Sequence, residues 1–360
     1  MKKNRHGADL YALERRYKWK PEEVLDFSSN INPLGPSPRA LEVPAKNAGA
    51  AARYPDPEYR KLKAAISRYA NVAPQHILLG SGTSQLIQEY IAYIHPARAL
   101  LNSPCYSEYG KELEKVGAKI VEFPLDYHEN FMLDVDRIIE TIRREKIDLY
   151  VLTNPNNPTG TVLTRVEIQR ILDETGVRML VDETYIEFTD RGVYSVCALA
   201  AGRDDLFVVR GTSKFFATPG IRLGYGITAD GAAVEALSEK LSLWGINIYA
   251  DLMGREMFSD EAYKAKTYHL IQSEKERMCA RLEAIDALKV FPSYGNFVLV
   301  KIQDRSHTAA ELREALLEKK MVIRDCSSFR NLDERFFRFC ILKEAANEML
   351  VTEIEAFFQK

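Results

Sequence analysis

The sequence of residues 212–225 is Thr212-Ser213-Lys214-Phe215-Phe216-Ala217-Thr218-Pro219-Gly220-Ile221-Arg222-Leu223-Gly224-Tyr225, and it directly follows the apolar run 206–209. A lysine just past a buried strand must be desolvated or paired, and lysines of this kind form imines with carbonyl groups. Ser213 and Arg222 add a hydroxyl and a guanidinium suited to a phosphate dianion. Taken alone, such a lysine would more often be a surface residue. The whole stretch predicts an imine-forming lysine beside an anion site.

The same order of an apolar run and a polar cluster recurs through the middle of the chain. The apolar runs are 77–79, 99–101, 149–152, 179–181 and 206–209, and the clusters after them begin at Gly80, Ser103, Asn154, Asp182 and Gly211. Continuously apolar strands are expected where helices cover both faces of a sheet. The sequence therefore predicts an α/β fold with a mostly parallel sheet, whose ligand lies along the carboxyl ends of the strands.

The length of 360 residues exceeds that of a single core and predicts more than one domain. From about residue 250 the sequence changes to long charged helices and a few strands, such as one at 296–300. We expect an N-terminal arm at 1–30 that packs with the smaller domain, a large domain at 31–250 that carries the site, and a small α+β domain at 251–360.

Composition argues against several classes of protein. The 49 basic and 51 acidic residues give a net charge of -2, so no bulk attraction to nucleic acid or anionic lipid is expected. The start lacks the apolar core of a signal peptide, and no run approaches the roughly 18 apolar residues that span a bilayer. The 5 cysteines and 6 histidines are dispersed. We therefore expect a cytoplasmic protein with free thiols and no metal site.

Four further motifs accompany the lysine segment. They are Gly80-Ser81-Gly82-Thr83, Ser103-Pro104-Cys105-Tyr106, Asn154-Pro155-Asn156-Asn157-Pro158-Thr159-Gly160 and Asp182-Glu183-Thr184-Tyr185. Together they resemble the fold-type I enzymes that depend on pyridoxal 5'-phosphate (PLP), the class I and II aminotransferase-like family. The resemblance covers essentially the whole chain. It implies an aspartate aminotransferase-like fold, with PLP in the large domain.

The resemblance assigns roles around the PLP ring. Lys214 would hold PLP as a Schiff base, and Asp182 would pair with the pyridine nitrogen and keep it protonated, so that the ring can draw electrons from Cα. Asn157 and Tyr185 would donate hydrogen bonds to the ring hydroxyl, and Tyr106 would stack on the ring. The catalytic residues predicted in this way are Lys214, Asp182 and Tyr185.

The cofactor phosphate is expected at the start of a helix, where free N–H groups and the helix dipole favour an anion. The predicted contacts are Ser81, Gly82, Thr83, Ser213 and Arg222. Tyr54 matches a residue that reaches the phosphate of a neighbouring subunit in relatives, which implies a homodimer with shared active sites. Gly211 departs from the family, where Ser or Thr is common three residues before the lysine. A phosphate contact is then either lost or taken over by Thr212.

Two arginines are expected to bind the substrate. Arg338 matches the arginine that grips the substrate carboxylate, since a planar guanidinium can hold a carboxylate with two parallel bonds. Arg324 matches a second arginine found in relatives whose substrates carry a phosphate. Two arginines so close in sequence could instead be surface ion-pair partners. A small phosphorylated amino acid is therefore the expected substrate.

Within the family the chain is most similar to two groups, the histidinol-phosphate aminotransferases and the L-threonine-O-3-phosphate decarboxylases of cobalamin biosynthesis. Three features resemble the decarboxylases: His6-Gly7, residues 26–35 (DFSSNINPLG), and the pair of motifs at 323–326 and 335–338. This similarity predicts decarboxylation of L-threonine O-3-phosphate to (R)-1-aminopropan-2-yl phosphate. The substrate contacts it implies are His6, Gly7, Asn30, Asn157, Arg324 and Arg338.

Alternatives of other kinds remain open. The chain could be a histidinol-phosphate or related aminotransferase, in which Lys214 itself moves the Cα proton, or an O-phospho-L-serine decarboxylase. A regulator with an aminotransferase-like domain is disfavoured, because the roughly 25 residues before Asp26 are too few for a winged helix. A nicotinamide or ATP enzyme is disfavoured because residues 80–83 fit neither GxGxxG with a distal acid nor GxxxxGK[ST].

Overall fold

A computed structural model describes residues 10–359. The strands are β1 (Leu25–Asp26), β2 (Ile77–Gly80), β3 (Arg98–Ser103), β4 (Lys119–Pro124), β5 (Leu149–Thr153), β6 (Arg178–Asp182), β7 (Leu206–Gly211), β8 (Gly224–Ile227), β9 (Leu288–Val290), β10 (Phe297–Ile302), β11 (Met321–Val322), β12 (Arg324–Asp325) and β13 (Phe336–Cys340). They form a seven-stranded, a four-stranded and a two-stranded sheet. The strand expected at 296–300 is thus confirmed as β10.

The α-helices are α1 (Leu10–Tyr17), α2 (Pro38–Lys46), α3 (Arg60–Ala70), α4 (Thr83–Ile94), α5 (Ser107–Lys115), α6 (Val135–Glu145), α7 (Arg165–Thr175), α8 (Arg191–Tyr194), α9 (Cys197–Ala200), α10 (Gly231–Lys240), α11 (Ile248–Met257), α12 (Glu261–Glu283), α13 (Ala309–Leu317) and α14 (Glu344–Phe358). Short 3-10 helices occur at Pro21–Glu23, Ala48–Ala52, Pro74–His76, Tyr127–Glu129, Ile186–Phe188 and Pro219–Ile221. In the described part of the chain, no helix is both long and apolar enough to cross a membrane.

The large sheet has the strand order β2-β8-β7-β6-β5-β3-β4. All neighbours from β7 to β4 pair in parallel, whereas β8 runs antiparallel to both β2 and β7. Strands β5 and β7 are buried along their full length, as expected for a sheet covered on both faces. The prediction of an α/β fold with a mostly parallel sheet is confirmed, and β8 is its antiparallel member.

The four-stranded sheet is antiparallel in the order β12-β13-β10-β9 and packs with the helices α12, α13 and α14. Strand β1 pairs in parallel with β11, with Leu25 opposite Met321. The segment before the large sheet is thereby tied to the C-terminal part of the chain. The predicted boundary between residues 250 and 251 falls inside α11, which packs on α2 and α3. The three-part division of the chain stays a prediction.

Candidate active site

A cavity of about 300 Å³ lies at the carboxyl ends of β5, β6 and β7. Eleven of the predicted site residues line it, namely Gly82, Thr83, Tyr106, Asn157, Asp182, Tyr185, Ser213, Lys214, Arg222, Arg324 and Arg338. Side chains from the large sheet and from β12 and β13 therefore meet in one space. The position of this cavity agrees with the rule that open α/β sheets bind ligands along that edge.

Lys214 follows β7 and is half-buried. Its Nζ donates a hydrogen bond to the carbonyl oxygen of Ser29 at 2.7 Å, and its own carbonyl accepts one from the N–H of Asn32 at 3.0 Å. The segment after β1 thus fixes both the backbone and the amine of this lysine. The amine lies in the cavity without a carboxylate bonded to it within the described residues. An amine so placed is able to attack a carbonyl carbon.

Asp182 ends β6 and is buried. One carboxylate oxygen accepts from the Tyr109 hydroxyl at 2.8 Å, and the other accepts from the N–H and the hydroxyl of Thr184 at 2.9 and 2.6 Å. Burial raises the pKa of Asp182, while the bonds from Thr184 and Tyr109 act in the opposite direction. A buried carboxylate of this kind needs a cationic partner in the cavity, and a protonated pyridine nitrogen would supply one.

The start of α4 has the features of a phosphate site. Gly82 caps this helix with a φ of +84°, and a Cβ at this position would collide with the guanidinium of Arg222. A Cβ at Gly224 would lie 2.6 Å from the carbonyl carbon of Gly82. The two glycines therefore keep the space in which Arg222 approaches the free N–H groups of the helix. A helix N-terminus beside a guanidinium fits the phosphate of PLP.

Gly211 stands where relatives commonly have Ser or Thr, and its surroundings explain why a small residue fits here. A Cβ here would lie 3.0 Å from the methyl carbon of Thr83, which is tighter than ordinary contact. Thr212 is fully buried, and its hydroxyl donates to the carbonyl of Leu223 at 3.2 Å. The structure therefore gives no support to a phosphate contact from Thr212. Thr83, which lines the cavity, occupies the space beside Gly211 instead.

The residues predicted for the ring hydroxyl lie together. The side-chain oxygen of Asn157 accepts a hydrogen bond from Nη1 of Arg338, and the Tyr185 hydroxyl accepts one from Asn30 at 3.2 Å. Asn30 is 1% exposed, and its Oδ1 has no hydrogen-bond partner among residues 10–359. Tyr106 makes an edge contact with Tyr109, with ring centroids 5.5 Å apart. Asn30 itself does not line the cavity and is connected to it through Tyr185, which does.

Arg324 and Arg338 lie opposite each other in the register of β12 and β13, and they are 7% and 5% exposed. Arg338 donates from Nη2 to the carbonyl of Ser28 at 2.7 Å, and its Nε is buried without a partner within the described part. No carboxylate of residues 10–359 lies within ion-pair distance of Arg338. Burial, and then the neighbouring charge of Arg338, lower the pKa of Arg324. Both side chains are buried rather than on the surface, and the guanidinium of Arg338 fits an anion bound in the cavity.

Other predicted residues are not brought into the cavity. Ser81 donates its hydroxyl to the carbonyl of Gly245 at 2.7 Å. Tyr54 is 77% exposed and packs against Trp244, with ring centroids 4.5 Å apart and an interplanar angle of 31°. His6 and Gly7 lie outside the described residues. The contact of Tyr54 with a neighbouring subunit stays a prediction.

Several residues of the site were missed by the sequence interpretation. Tyr109 and Thr184 hold Asp182, and Thr153 donates to the Tyr109 hydroxyl at 2.9 Å. Tyr109 could have been found from its spacing to Tyr106 at the start of α5, because residues three apart lie on the same face of a helix. The carbonyls of Ser28 and Ser29 could not have been found, since every residue has one.

The fold and this cavity fit a site for PLP, with Lys214 in the position predicted for its imine. The chain belongs to the aminotransferase class I and II family, whose description is "Aminotransferase class I and II" and whose model matches residues 22–354. Enzymes of this family depend on PLP, so the predicted family and cofactor are confirmed.

Three curated relatives are similar along nearly their whole lengths. The "Putative threonine-phosphate decarboxylase" of Caldanaerobacter subterraneus subsp. tengcongensis is 36% identical, over 100% of this chain and 95% of the relative. The threonine-phosphate decarboxylase of Salmonella typhimurium is 30% identical, over 97% and 95%. The histidinol-phosphate aminotransferase of Methanothermobacter thermautotrophicus is 30% identical, over 93% and 89%.

Solved structures give the same two groups. The histidinol-phosphate aminotransferase from Clostridium acetobutylicum has a TM-score of 0.87 and 32% identity, over 93% of this chain and 99% of that one. The L-threonine-O-3-phosphate decarboxylase from Porphyromonas gingivalis has a TM-score of 0.82 and 25% identity, over 94% and 100%. Overall similarity therefore shows the family, and the choice of reaction depends on the site.

Proposed function

We propose that this enzyme decarboxylates L-threonine O-3-phosphate, releasing carbon dioxide and forming (R)-1-aminopropan-2-yl phosphate, which serves as the aminopropanol linker of cobalamin. The observation that supports this proposal is the buried pair Arg324 and Arg338, side by side in one cavity. The substrate carries a phosphate and a carboxylate close together, so it offers one anion to each guanidinium. Guanidinium groups bind both anions with paired hydrogen bonds.

In this proposal Arg338 determines which bond is broken. PLP, when bound, would supply an electron sink for the substrate Cα, and the orientation of the substrate would decide which bond to Cα breaks. Arg338 is held by Asn157 and by the carbonyl of Ser28, so its guanidinium cannot turn freely. A carboxylate gripped by a fixed guanidinium takes one orientation, and orientation selects the reaction. We assign Arg338 the role of directing the carboxylate out of the ring plane.

The other residues divide the remaining tasks. Arg324 binds the substrate phosphate, and the amide nitrogen of Asn30, with His6 and Gly7, is proposed to complete that site. Asp182 keeps its negative charge toward the pyridine nitrogen, supported by Tyr109 and Thr184. Lys214 would hold the cofactor through its amine, which lies in the cavity. Tyr185, bonded to Asn30, links the cofactor site to the phosphate site.

An aminotransferase that acts on histidinol phosphate is the second candidate. It is favoured by the 32% identity and the TM-score of 0.87 to the Clostridium acetobutylicum structure. Histidinol phosphate has a phosphate but no carboxylate, so only one of the two arginines would be used with this substrate. The keto acid acceptor of a transamination carries carboxylates and would use both. Both reactions would therefore use the arginine pair. The decarboxylase is favoured over the aminotransferase by the likeness of residues 26–35 and of the motifs at 323–326 and 335–338 to that group, and by the 36% identity to the relative from Caldanaerobacter subterraneus subsp. tengcongensis.

We further propose a homodimer in which Tyr54 contacts the cofactor phosphate of the partner subunit. Tyr54 and Trp244 form an exposed aromatic pair on the surface, which a second subunit would cover. Sedimentation equilibrium is expected to give twice the mass of 41.0 kDa for one chain. Tyr54→Phe is expected to weaken PLP binding while the dimer persists. A monomer with full activity would contradict this arrangement.

Two assays of the purified holoenzyme compare the candidate functions directly. The first measures carbon dioxide and aminopropanol phosphate from L-threonine O-3-phosphate, and the second measures glutamate from histidinol phosphate and 2-oxoglutarate. We expect turnover in the first and none above background in the second, with Lys214→Ala inactive in both. The reverse pattern would assign the enzyme to the aminotransferases.

A further inference from the structure

The loop of residues 326–332, here called the β12–β13 loop, encloses the guanidinium of Arg324. The hydroxyl of Ser328 accepts a hydrogen bond from Nη2 of Arg324 at 2.8 Å. The ring of Phe329 lies beside the same guanidinium, with Cζ of Arg324 5.4 Å from the ring centroid. Phe329 also lines the cavity. A single guanidinium is thus held by a hydroxyl at one nitrogen and by an aromatic ring.

This loop is anchored at several points. The N–H of Ser327 donates to the Asp325 carboxylate at 2.8 Å, and the N–H of Phe329 donates to the carbonyl of Cys326 at 2.9 Å. Asn331, with a φ of +62°, donates from its side chain to the hydroxyl of Ser103 at 2.8 Å. Ser103 is the last residue of β3, so the loop bridges the small sheet and the large one. Ser328 and Phe329 consequently have defined positions over Arg324.

Arg324 needs such support because of its neighbour. Arg338 faces it across β12 and β13, and like charges placed directly opposite on adjacent strands repel each other. An unrestrained arginine side chain has many rotamers and would turn away from a like charge. The bond to Ser328 and the contact with Phe329 help to hold the guanidinium beside Arg338. A guanidinium fixed in advance loses less entropy when it binds a phosphate.

We propose that Ser328 and Phe329 determine the preference of this enzyme for phosphorylated substrates, by positioning Arg324 for the substrate phosphate. Ser328 is a positioning residue, since it acts through Arg324, and Phe329 both positions Arg324 and closes the cavity beside it. This inference rests on the proposed function, because it requires a phosphorylated amino acid as the substrate. It assigns specificity to a loop outside the residues that hold the cofactor.

The test compares L-threonine O-3-phosphate with L-threonine on the holoenzyme. For each amino acid, the apparent dissociation constant is taken from the change in the visible absorbance of the enzyme, and kcat/KM is taken from product release. Ser328→Ala is expected to weaken binding of the phosphorylated substrate by about three- to tenfold and to leave that of L-threonine unchanged. Phe329→Leu, which also alters the cavity wall, is expected to weaken binding of the phosphorylated substrate more than that of L-threonine. Ser328→Thr keeps the hydroxyl and is expected to retain the preference.

Ser327→Ala is the matched control, since it removes a hydroxyl from the adjacent residue, whose contact with Asp325 is made by its backbone. Ser327→Ala should leave the apparent dissociation constant and kcat/KM unchanged for both amino acids. If the parent enzyme prefers the phosphorylated substrate and Ser328→Ala and Phe329→Leu retain the full preference, the inference is wrong while the proposed function stands. Equal losses for both substrates would also overturn it, because they indicate a merely structural role. A parent enzyme with no preference would overturn both proposals.

Discussion

Arg338 donates a hydrogen bond from its guanidinium to the side chain of Asn157, so a strand of the small sheet contacts the loop that follows β5 of the large sheet. The residue assigned to the substrate carboxylate therefore touches the residue assigned to the cofactor ring. This contact gives a physical reason for one fixed orientation of the carboxylate relative to the ring. It also couples substrate binding to the relative position of the two sheets.

Arg338→Lys tests this coupling. Lysine retains the charge but cannot donate to Asn157, to Ser28 and to a carboxylate from one planar group. We expect kcat/KM for the phosphorylated substrate to fall by about tenfold to a hundredfold, as for a lost hydrogen bond to a charged group. The control is Arg335→Lys, three residues earlier, whose partner is Asp333 and which should change kcat/KM by less than about twofold. Equal effects of the two variants in steady-state assays would contradict the assignment.

Gly82→Ala tests the phosphate site. The added methyl group would meet the guanidinium of Arg222 at a backbone with a φ of +84°. Gly117→Ala is the matched control, because its φ is +75° but no atom lies within 4 Å of the added carbon. Both variants are expected to lose stability from backbone strain, and Gly82→Ala more, since its ψ of 168° lies outside the left-handed helical region. Only Gly82→Ala should weaken PLP binding, measured by titration of the apoenzyme under conditions in which both variants are folded. Similar PLP affinities in the two variants would argue against this phosphate site.

Tyr109→Phe tests the support of Asp182. Burial holds the pKa of Tyr109 well above its usual value of 10.0, so its hydroxyl stays a donor over the working pH range. Its removal takes one of three hydrogen bonds from the carboxylate and is expected to lower kcat by about tenfold. Tyr150→Phe removes a buried hydroxyl that bonds Asn102 instead, and it should affect stability but not kcat. An unchanged kcat in Tyr109→Phe would show that the hydrogen bond from Tyr109 to Asp182 does not contribute to catalysis.

Lys275 makes stability depend on pH. Its amine donates to the carbonyls of Ser293 and Gly295, and burial lowers its pKa from 10.5 to about 8. Between these pH values the unfolded chain binds more protons at this residue than the folded chain does. The free energy of unfolding therefore gains a contribution from Lys275 as the pH rises, of at most about 3 kcal/mol.

Urea unfolding near pH 7 and near pH 10 measures this contribution. Lys275→Met should lack the gain, whereas Lys266→Met, which replaces an exposed lysine of the same helix, should keep it. If the free energy of unfolding of Lys275→Met changes with pH as much as that of the parent protein, the pKa of Lys275 is not lowered in solution.

The sequence was sufficient for the parallel part of the fold and for most of the site. The strands that precede Asp182 and Lys214 could be predicted because each is an unbroken apolar run followed by polar residues, a pattern visible in the local sequence. The antiparallel strand β8 was not expected, because its place between β2 and β7 depends on the close approach of Gly224 to Gly82, which are far apart in the chain. The pairing of Leu25 with Met321 is equally nonlocal.

The substrate site was predicted less completely for a similar reason. Arg324 and Arg338 were found from their motifs, but their facing positions follow from the register of two strands. The contact of Ser328 with Arg324 depends on the path of a loop. The carbonyl of Ser29, which accepts from Lys214, has no mark in the sequence because it belongs to the backbone. Local patterns thus identify the reactive groups, and tertiary contacts determine their geometry.

The amount of carbon dioxide released per active site distinguishes decarboxylation, directed by Arg338 and Arg324, from transamination. The holoenzyme is incubated with excess L-threonine O-3-phosphate and no keto acid, and the carbon dioxide is compared with the PLP content. We predict many equivalents per site, with the visible absorbance of the cofactor restored when the substrate is consumed. Less than one equivalent, with a single conversion of the cofactor to its pyridoxamine form, would contradict the proposal and identify an aminotransferase.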